Sequence, residues 1–197
     1  MSVPQQLRDD PRWARLVDLV RELAFLDGGN DEAFTLASGR TSRWFFDMKP
    51  VMMHPEAGRL VGQLMNARCD EIGADFVGGL ELGAVPLAAL VVATDFTSER
   101  LGFMVRKQAK GRGGRKTNNP PGIEGASISE GGKVIILEDV TTTGGSAIQA
   151  VKRIEEETSC EVVAVISILD RQEGGKEAFE DAGIAFESLL VRSDISG

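Results

Sequence analysis

Histidine and cysteine are scarce in this chain, and long apolar runs are missing altogether. The only histidine, His54, rules out a His-rich metal site and weighs against a Ser/His/Asp triad. It stands directly before Pro55, where a helix-start role is expected. The two cysteines, Cys69 and Cys160, lie far apart with no CxxC spacing and no neighbouring histidine. Both are expected to be buried thiols rather than a disulfide or a metal site. No segment approaches the roughly eighteen apolar residues of a membrane span. The N-terminal MSVPQQLRDDPRWARL lacks the apolar centre of a signal peptide. A cytoplasmic protein with no membrane partner is the expectation. Two phosphate motifs are also missing: there is no GxxxxGK[ST] and no GxGxxG after a strand. Neither an NTPase P-loop nor a dinucleotide fold is supported.

What is present bounds the answer further. A chain of 197 residues with 42% hydrophobic content can bury one good core, and a single domain over residues 1–197 is expected. The net charge of −8 argues against a nucleic-acid partner. One segment runs against that average: RKQAKGRGGRK, residues 106–116, holds six basic residues and no acid. It lies between two expected strands and is laced with glycine, which favours a mobile lid over a membrane or nucleic-acid patch.

Along the chain, Asp10-Pro11 reads as an N-cap followed by proline at the first helical position. Trp13, Leu16, Val17, Val20, Leu23 and Ala24 form the apolar stripe of that helix. FTLASGRTSRWFFDM suggests two short strands joined by a Ser-Gly turn. A second helix is expected from Pro55 to Ile72, with Gly73 as its stop. DFVGGLELGAVPLAALVVA reads as strand, glycine-bearing loop and helix; LGFMVRK as a strand; residues 111–125 as a long loop. Strand EVVAVISILD, a helix from Glu173 to Ala182 and strand IAFESLLV complete the chain. Alternating strands and helices argue for an α/β fold, a mainly parallel sheet flanked by helices with an N-terminal addition.

The chemistry concentrates in VIILEDVTTTGGSA, residues 134–147. The aliphatic run Val134 to Leu137 fits a strand buried on both faces. Glu138 and Asp139 then fall at its carboxyl end, where open α/β sheets place ligands. Ala147, Ile148, Val151 and Ile154 recur at helical spacing, so the glycines and hydroxyls form a tight loop at a helix start. Such a loop attracts a phosphate through backbone N–H groups, and Thr141, Thr143 and Ser146 can add hydroxyl donors. The two acids would repel that phosphate but accept well from neutral hydroxyls. A ligand with a phosphate at one end and a vicinal diol further along, a ribose 5-phosphate, fits both halves.

This stretch closely resembles the phosphoribosyl-pyrophosphate signature of type I phosphoribosyltransferases. FTLASGRTSRWFFD, FVGGLELGAVPLA, VRKQAK and ISILDRQEGG are similar, in the same order, to motifs of the orotate-specific members. The resemblance implies a single-domain type I phosphoribosyltransferase fold with a small N-terminal hood over about residues 1–50 and a mobile lid over about 106–125. It implies that Glu138 and Asp139 hold the ribose hydroxyls. The 5-phosphate is then cradled by the stretch Val140, Thr141, Thr142, Thr143, Gly144, Gly145 and Ser146. The turn Glu81 to Ala84 would face pyrophosphate, and Arg106, Lys107, Lys110 and Arg112 would bring lid cations to it. Lys107, Lys110 and Asp139 are the implied catalytic group. Thr142 and Arg171 would contact orotate, with Phe45 and Phe46 walling the base. Purine-salvage relatives carry an acid where Thr142 stands, so the threonine favours orotate.

The implied reaction is attack of orotate N1 on ribose C1, displacing pyrophosphate and giving orotidine 5-phosphate in pyrimidine synthesis. Mg²⁺ is the implied cofactor, held mainly by the substrate near Asp139 with no firm protein ligand set. A homodimer with shared sites is the implied assembly, its partners otherwise being phosphoribosyl pyrophosphate and orotate. Two departures stand out. The family lid usually continues Lys-x-His-Gly, whereas Arg112 stands where histidine is expected; Ala37 replaces a lysine common before Ser-Gly. Alternatives are a transferase for another base, or a regulator that senses phosphoribosyl pyrophosphate through the same pocket.

Overall fold

The structure is a computed structural model that describes residues 2–29, 34–35, 41–95, 100–108 and 117–196. Its elements, in chain order, begin with α1 (Gln5–Arg8), α2 (Pro11–Ala24), β1 (Phe25–Asp27), β2 (Phe34–Thr35), β3 (Thr41–Ser42) and β4 (Trp44–Phe46). Next come α3 (Lys49–Met52), α4 (Pro55–Ile72), β5 (Phe76–Leu80), α5 (Ala84–Ala93), β6 (Leu101–Val105) and β7 (Ile123–Gly125). The C-terminal part holds β8 (Gly132–Thr141), α6 (Gly145–Glu157), β9 (Cys160–Asp170), α7 (Gly175–Asp181), β10 (Phe186–Val191) and α8 (Arg192–Ile195).

Six strands form one sheet in the order β10-β9-β8-β5-β6-β7. All pairings are parallel except that of β7 with β6. From β5 the chain moves outward to β6 and β7, then returns to β8 and winds the opposite way to β10. The direction of winding therefore reverses between β5 and β8. At such a switch point the loops leaving the two strands diverge and open a crevice at their carboxyl ends.

The aliphatic run in β8 shows why both faces of the sheet are covered. Ile135 and Leu137 enter a core shared with α2, α4 and α5, while Val134 and Ile136 enter a second core with α6 and Phe179 of α7. All four are fully buried. Period-two alternation is invisible in the hydropathy here because each face meets helices.

The helix signals act locally as expected. Asp10 accepts from the Arg12 N–H at 2.8 Å and Pro11 opens α2. His54 caps α4, its Nδ1 accepting from Ala57 N–H at 3.3 Å, and Gly73 ends it with φ of 79°. Both cysteines are free and buried, and burial pushes the Cys69 thiol up to about 12. The Trp13 indole donates to Leu189 O at 2.7 Å, fastening α2 to the β10 edge. Among the described residues, no helix is long and apolar enough to cross a membrane.

Several expectations need correction. FTLASGRTSRWFFDM supplies three short strands rather than two. β2 and β3 pair with each other, whereas β4 pairs with β1 at the end of α2; the Ser-Gly turn lies outside the described residues. The stretch 111–125 is not loop throughout: Ile123–Gly125 form β7, because β6 would otherwise leave its edge unpaired and Ile123 would lose its burial. Helix α7 starts at Gly175 rather than Glu173, after Gly174 turns the chain with φ of 98°. Strand β8 runs on through Thr141, so both acids lie within it.

Candidate active site

A cavity of about 310 Å³ opens at the switch point. One wall is the end of β8 and the turn into α6, Glu138 through Ser146. Facing it are Phe45, Phe46, Asp47 and Lys49 from the N-terminal elements, with Arg171 at the end of β9. Strand register brings the two ends together: Thr141 pairs with Asp170, and Arg171 N–H donates to Thr141 O at 2.9 Å. The phosphate-type turn and the arginine turn therefore leave the sheet side by side.

The turn itself is built for an anion. Gly144 has φ of 78°, and a Cβ there would also press on the Phe179 ring at 3.1 Å. Glycine is needed for both reasons. The first N–H groups of α6 have no intrahelical partner and carry the positive end of the helix dipole. Thr141 Oγ1 is buried without a hydrogen-bond partner among the described residues, which leaves it for a ligand oxygen.

Electrostatics differ sharply a few residues earlier. Burial first, and the adjacent Asp139 charge second, push the Glu138 carboxyl up to about 8. In the protein alone, the pair carries a proton near neutrality, and hydroxyl donors or a cation between the acids would relieve that cost. Gly83, in the turn after β5, lies against Asp139: a side chain there would collide with its carboxylate. Glu81 in the same turn accepts from Lys107 N–H at 2.8 Å, so the root of the cationic segment is tied beside the acids. The Glu81–Leu82 peptide is cis. Among the described residues, no group of three or more His, Cys, Asp or Glu side chains could hold a metal.

The arrangement unites most of the expected residues. Glu138, Asp139, Val140, Thr141, Thr142, Thr143, Gly144, Gly145, Ser146, Arg171, Phe45 and Phe46 line one cavity. Arg106 and Lys107 do not line it. The Arg106 guanidinium instead reaches toward Glu81 and Glu124, at 3.8 and 3.6 Å. Lys110, Arg112 and Ala37 lie outside the described residues. Two lining residues were not anticipated, Asp47 and Lys49, whose side chains pair at 3.0 Å. The signal available was FFDMKP, which puts an acid and a cation just after the aromatic pair and before a proline that opens a helical turn.

A glycine-bearing turn at a helix start, an acid pair and two phenylalanines thus share one cavity at the switch point. The family model for the phosphoribosyl transferase domain matches residues 51–186. The chain belongs to that family. Within it, the chain is 41% identical over 186 residues to orotate phosphoribosyltransferase of Rhodopseudomonas palustris (strain BisB5), covering 92% of this chain and 94% of that protein. Among phosphoribosyltransferase structures, it resembles Mycobacterium tuberculosis H37Rv orotate phosphoribosyltransferase in complex with Fe(III) dicitrate. That likeness has a TM-score of 0.80 at 33% identity and covers 95% and 100% of the two chains. The same mycobacterial protein in complex with 5-phospho-alpha-D-ribosyl 1-diphosphate matches with a TM-score of 0.76 at 32% identity, over the same shares.

Proposed function

We propose that this phosphoribosyltransferase transfers the 5-phosphoribosyl group of phosphoribosyl pyrophosphate to orotate. The bond from orotate N1 to ribose C1 forms as the C1–O bond to pyrophosphate breaks; that electron pair leaves with pyrophosphate, and the N1 proton passes to pyrophosphate or to water. The observation that carries this reading is the Thr141–Asp170 register, which sets an anion-binding turn beside an arginine with two phenylalanines opposite. The 41% identity to a protein named for orotate supports the choice of base.

Each wall then has a task. The α6 turn holds the 5-phosphate, Glu138 and Asp139 accept from the ribose hydroxyls, and Phe45 with Phe46 flank the base. Arg171 donates to the base, and Thr142, having no acid function, suits a base that is already anionic. Holding both reactants in line supplies much of the rate, since little covalent chemistry falls to the protein. The acid pair fits a Mg²⁺ held mainly by the substrate, because a cation nearby relieves the cost of ionising Glu138. When bound, such an ion neutralises charge on the departing pyrophosphate. A homodimer whose subunits share sites, with Lys107 and its neighbours reaching pyrophosphate, completes the proposal, as does a cytoplasmic setting.

The test is to mix the protein with Mg²⁺, phosphoribosyl pyrophosphate and orotate and follow the orotate absorbance, with uracil, hypoxanthine and guanine in parallel. Loss of orotate alone is expected. Turnover of a purine instead would reject the orotate assignment, and tight phosphoribosyl pyrophosphate binding without turnover of any base would favour a sensor.

A further inference from the structure

Arg171 is only 3% exposed, yet it lines the cavity. Its guanidinium has five N–H donors, and most are already committed inside the protein. Glu173 Oε1 accepts from both Nε and Nη2, at 3.1 and 2.8 Å. Nη2 also donates to Ser42 Oγ at 2.9 Å and to Trp44 O at 3.1 Å. The Phe46 ring lies 5.8 Å from the guanidinium carbon. Among the described residues, Nη1 has no hydrogen-bond partner.

The edge formed by Nε and Nη2 is the fork that ordinarily grips a carboxylate with two parallel bonds. Glu173 occupies it from two residues away, across the turn that leaves β9. A ligand carboxylate cannot take the same fork without expelling Glu173 and leaving that partly buried acid unpaired. What remains for a ligand is one nitrogen, held in direction by three protein acceptors. An arginine side chain freed of those acceptors would lose that direction to rotamer entropy.

We infer that Glu173 is a positioning residue for the base subsite: it holds the Arg171 fork so that Nη1 alone is presented to the base. Ser42 supports the same guanidinium from the N-terminal elements and so couples their docking to the subsite. The inference rests on the orotate reading, and one set of kinetics separates the two. Glu173→Ala, Glu173→Gln and Ser42→Ala are compared with wild type, varying orotate and phosphoribosyl pyrophosphate in turn and checking each fold by thermal melting.

Glu173→Ala is expected to raise the orotate KM at least about tenfold, the loss typical of a charge-assisted hydrogen bond, with the phosphoribosyl pyrophosphate KM within about twofold. Glu173→Gln keeps an oxygen that accepts from Nε and Nη2, so its orotate KM should stay within about threefold of wild type. Ser42→Ala removes one acceptor and should raise the orotate KM alone, by a smaller factor; it carries the test if Glu173→Ala does not fold. Equal changes in both KM values, or no change in Glu173→Ala, would overturn the inference. Glu173→Gln as impaired as Glu173→Ala would overturn it as well. Wild-type protein that leaves orotate unconsumed would refute the orotate reading itself, and the subsite with it.

Discussion

Glu138 and Asp139 are neighbours in sequence but differ in electrostatic situation. The Glu138 carboxyl is raised from its ordinary value of 4.5 to about 8, by burial and then by Asp139. Between those two values the folded chain holds a proton that the unfolded chain has released. Stability therefore falls as pH rises from about 4.5 to about 8, and levels off above. Glu138→Gln should flatten that decline in melting temperature and be the more stable form at pH 8, while turning over more slowly because it lacks a charged acceptor. Melting curves from pH 4.5 to 8.5 for both proteins check it, and parallel curves would mean that Glu138 titrates normally. Asp139 bears on catalysis more directly, since it touches the turn expected to face pyrophosphate. Asp139→Asn should lower kcat on the order of a hundredfold, as when one charge-stabilising group is lost from an active site. Its melting temperature should hardly move. Wild-type turnover in that variant would remove the diol from this position.

At the scale of elements, the turn between β8 and α6 is the most constrained. Gly144→Ala must adopt a left-handed conformation, at about 1–2 kcal/mol, and also displace Phe179 from the second core. We expect a loss of at least that size in urea denaturation, together with weakened phosphoribosyl pyrophosphate binding. An unaltered midpoint would show that the turn relaxes freely. This element was legible in the sequence because its signals are local: an aliphatic run, two acids, three threonines and two glycines in fourteen residues. The long helices were legible for the same reason, through Asp10, His54 and Gly73 at their ends. Single-turn helices such as α1, α3 and α8 show no apolar period, and none was anticipated. Strand β7 escaped notice because three residues within a Gly/Pro/Asn-rich stretch carry no alternation; only the open edge of β6 calls for them. Lys49 escaped for another reason. FFDMKP sets it beside the aromatic pair, but its place in the cavity also depends on how the N-terminal strands fold over β8 and β9, a long-range contact that the motif alone does not encode. Arg171 was recognisable in LDRQ, but its hold by Glu173, Ser42 and Trp44 was not, since two of those partners come from the far end of the chain.

For the whole molecule, the sharpest prediction concerns the proposed shared sites. Lys107 is exposed, and its backbone N–H is held by Glu81 beside the acids of its own chain; a shared site requires its side chain to serve a second subunit. Lys107→Ala and Asp139→Asn should each be nearly inactive. In a two-fold dimer assembled at random from equal amounts, half the molecules are hybrids with one intact site each, so co-refolding should restore about a quarter of wild-type activity. Inactive mixtures with proven hybrids would mean that every subunit completes its own site. The pairing of Thr141 with Asp170 reaches further than the contacts it brings about. Adjacent strands sit about 4.8 Å apart, a spacing that side-chain substitutions hardly alter. On the proposed function the two strands act as a caliper with fixed jaws, one for phosphate and the other for the ring. Selection among bases can be retuned by exchanging residues on the ring jaw. Tolerance for a longer or shorter spacer between phosphate and ring would require a different sheet.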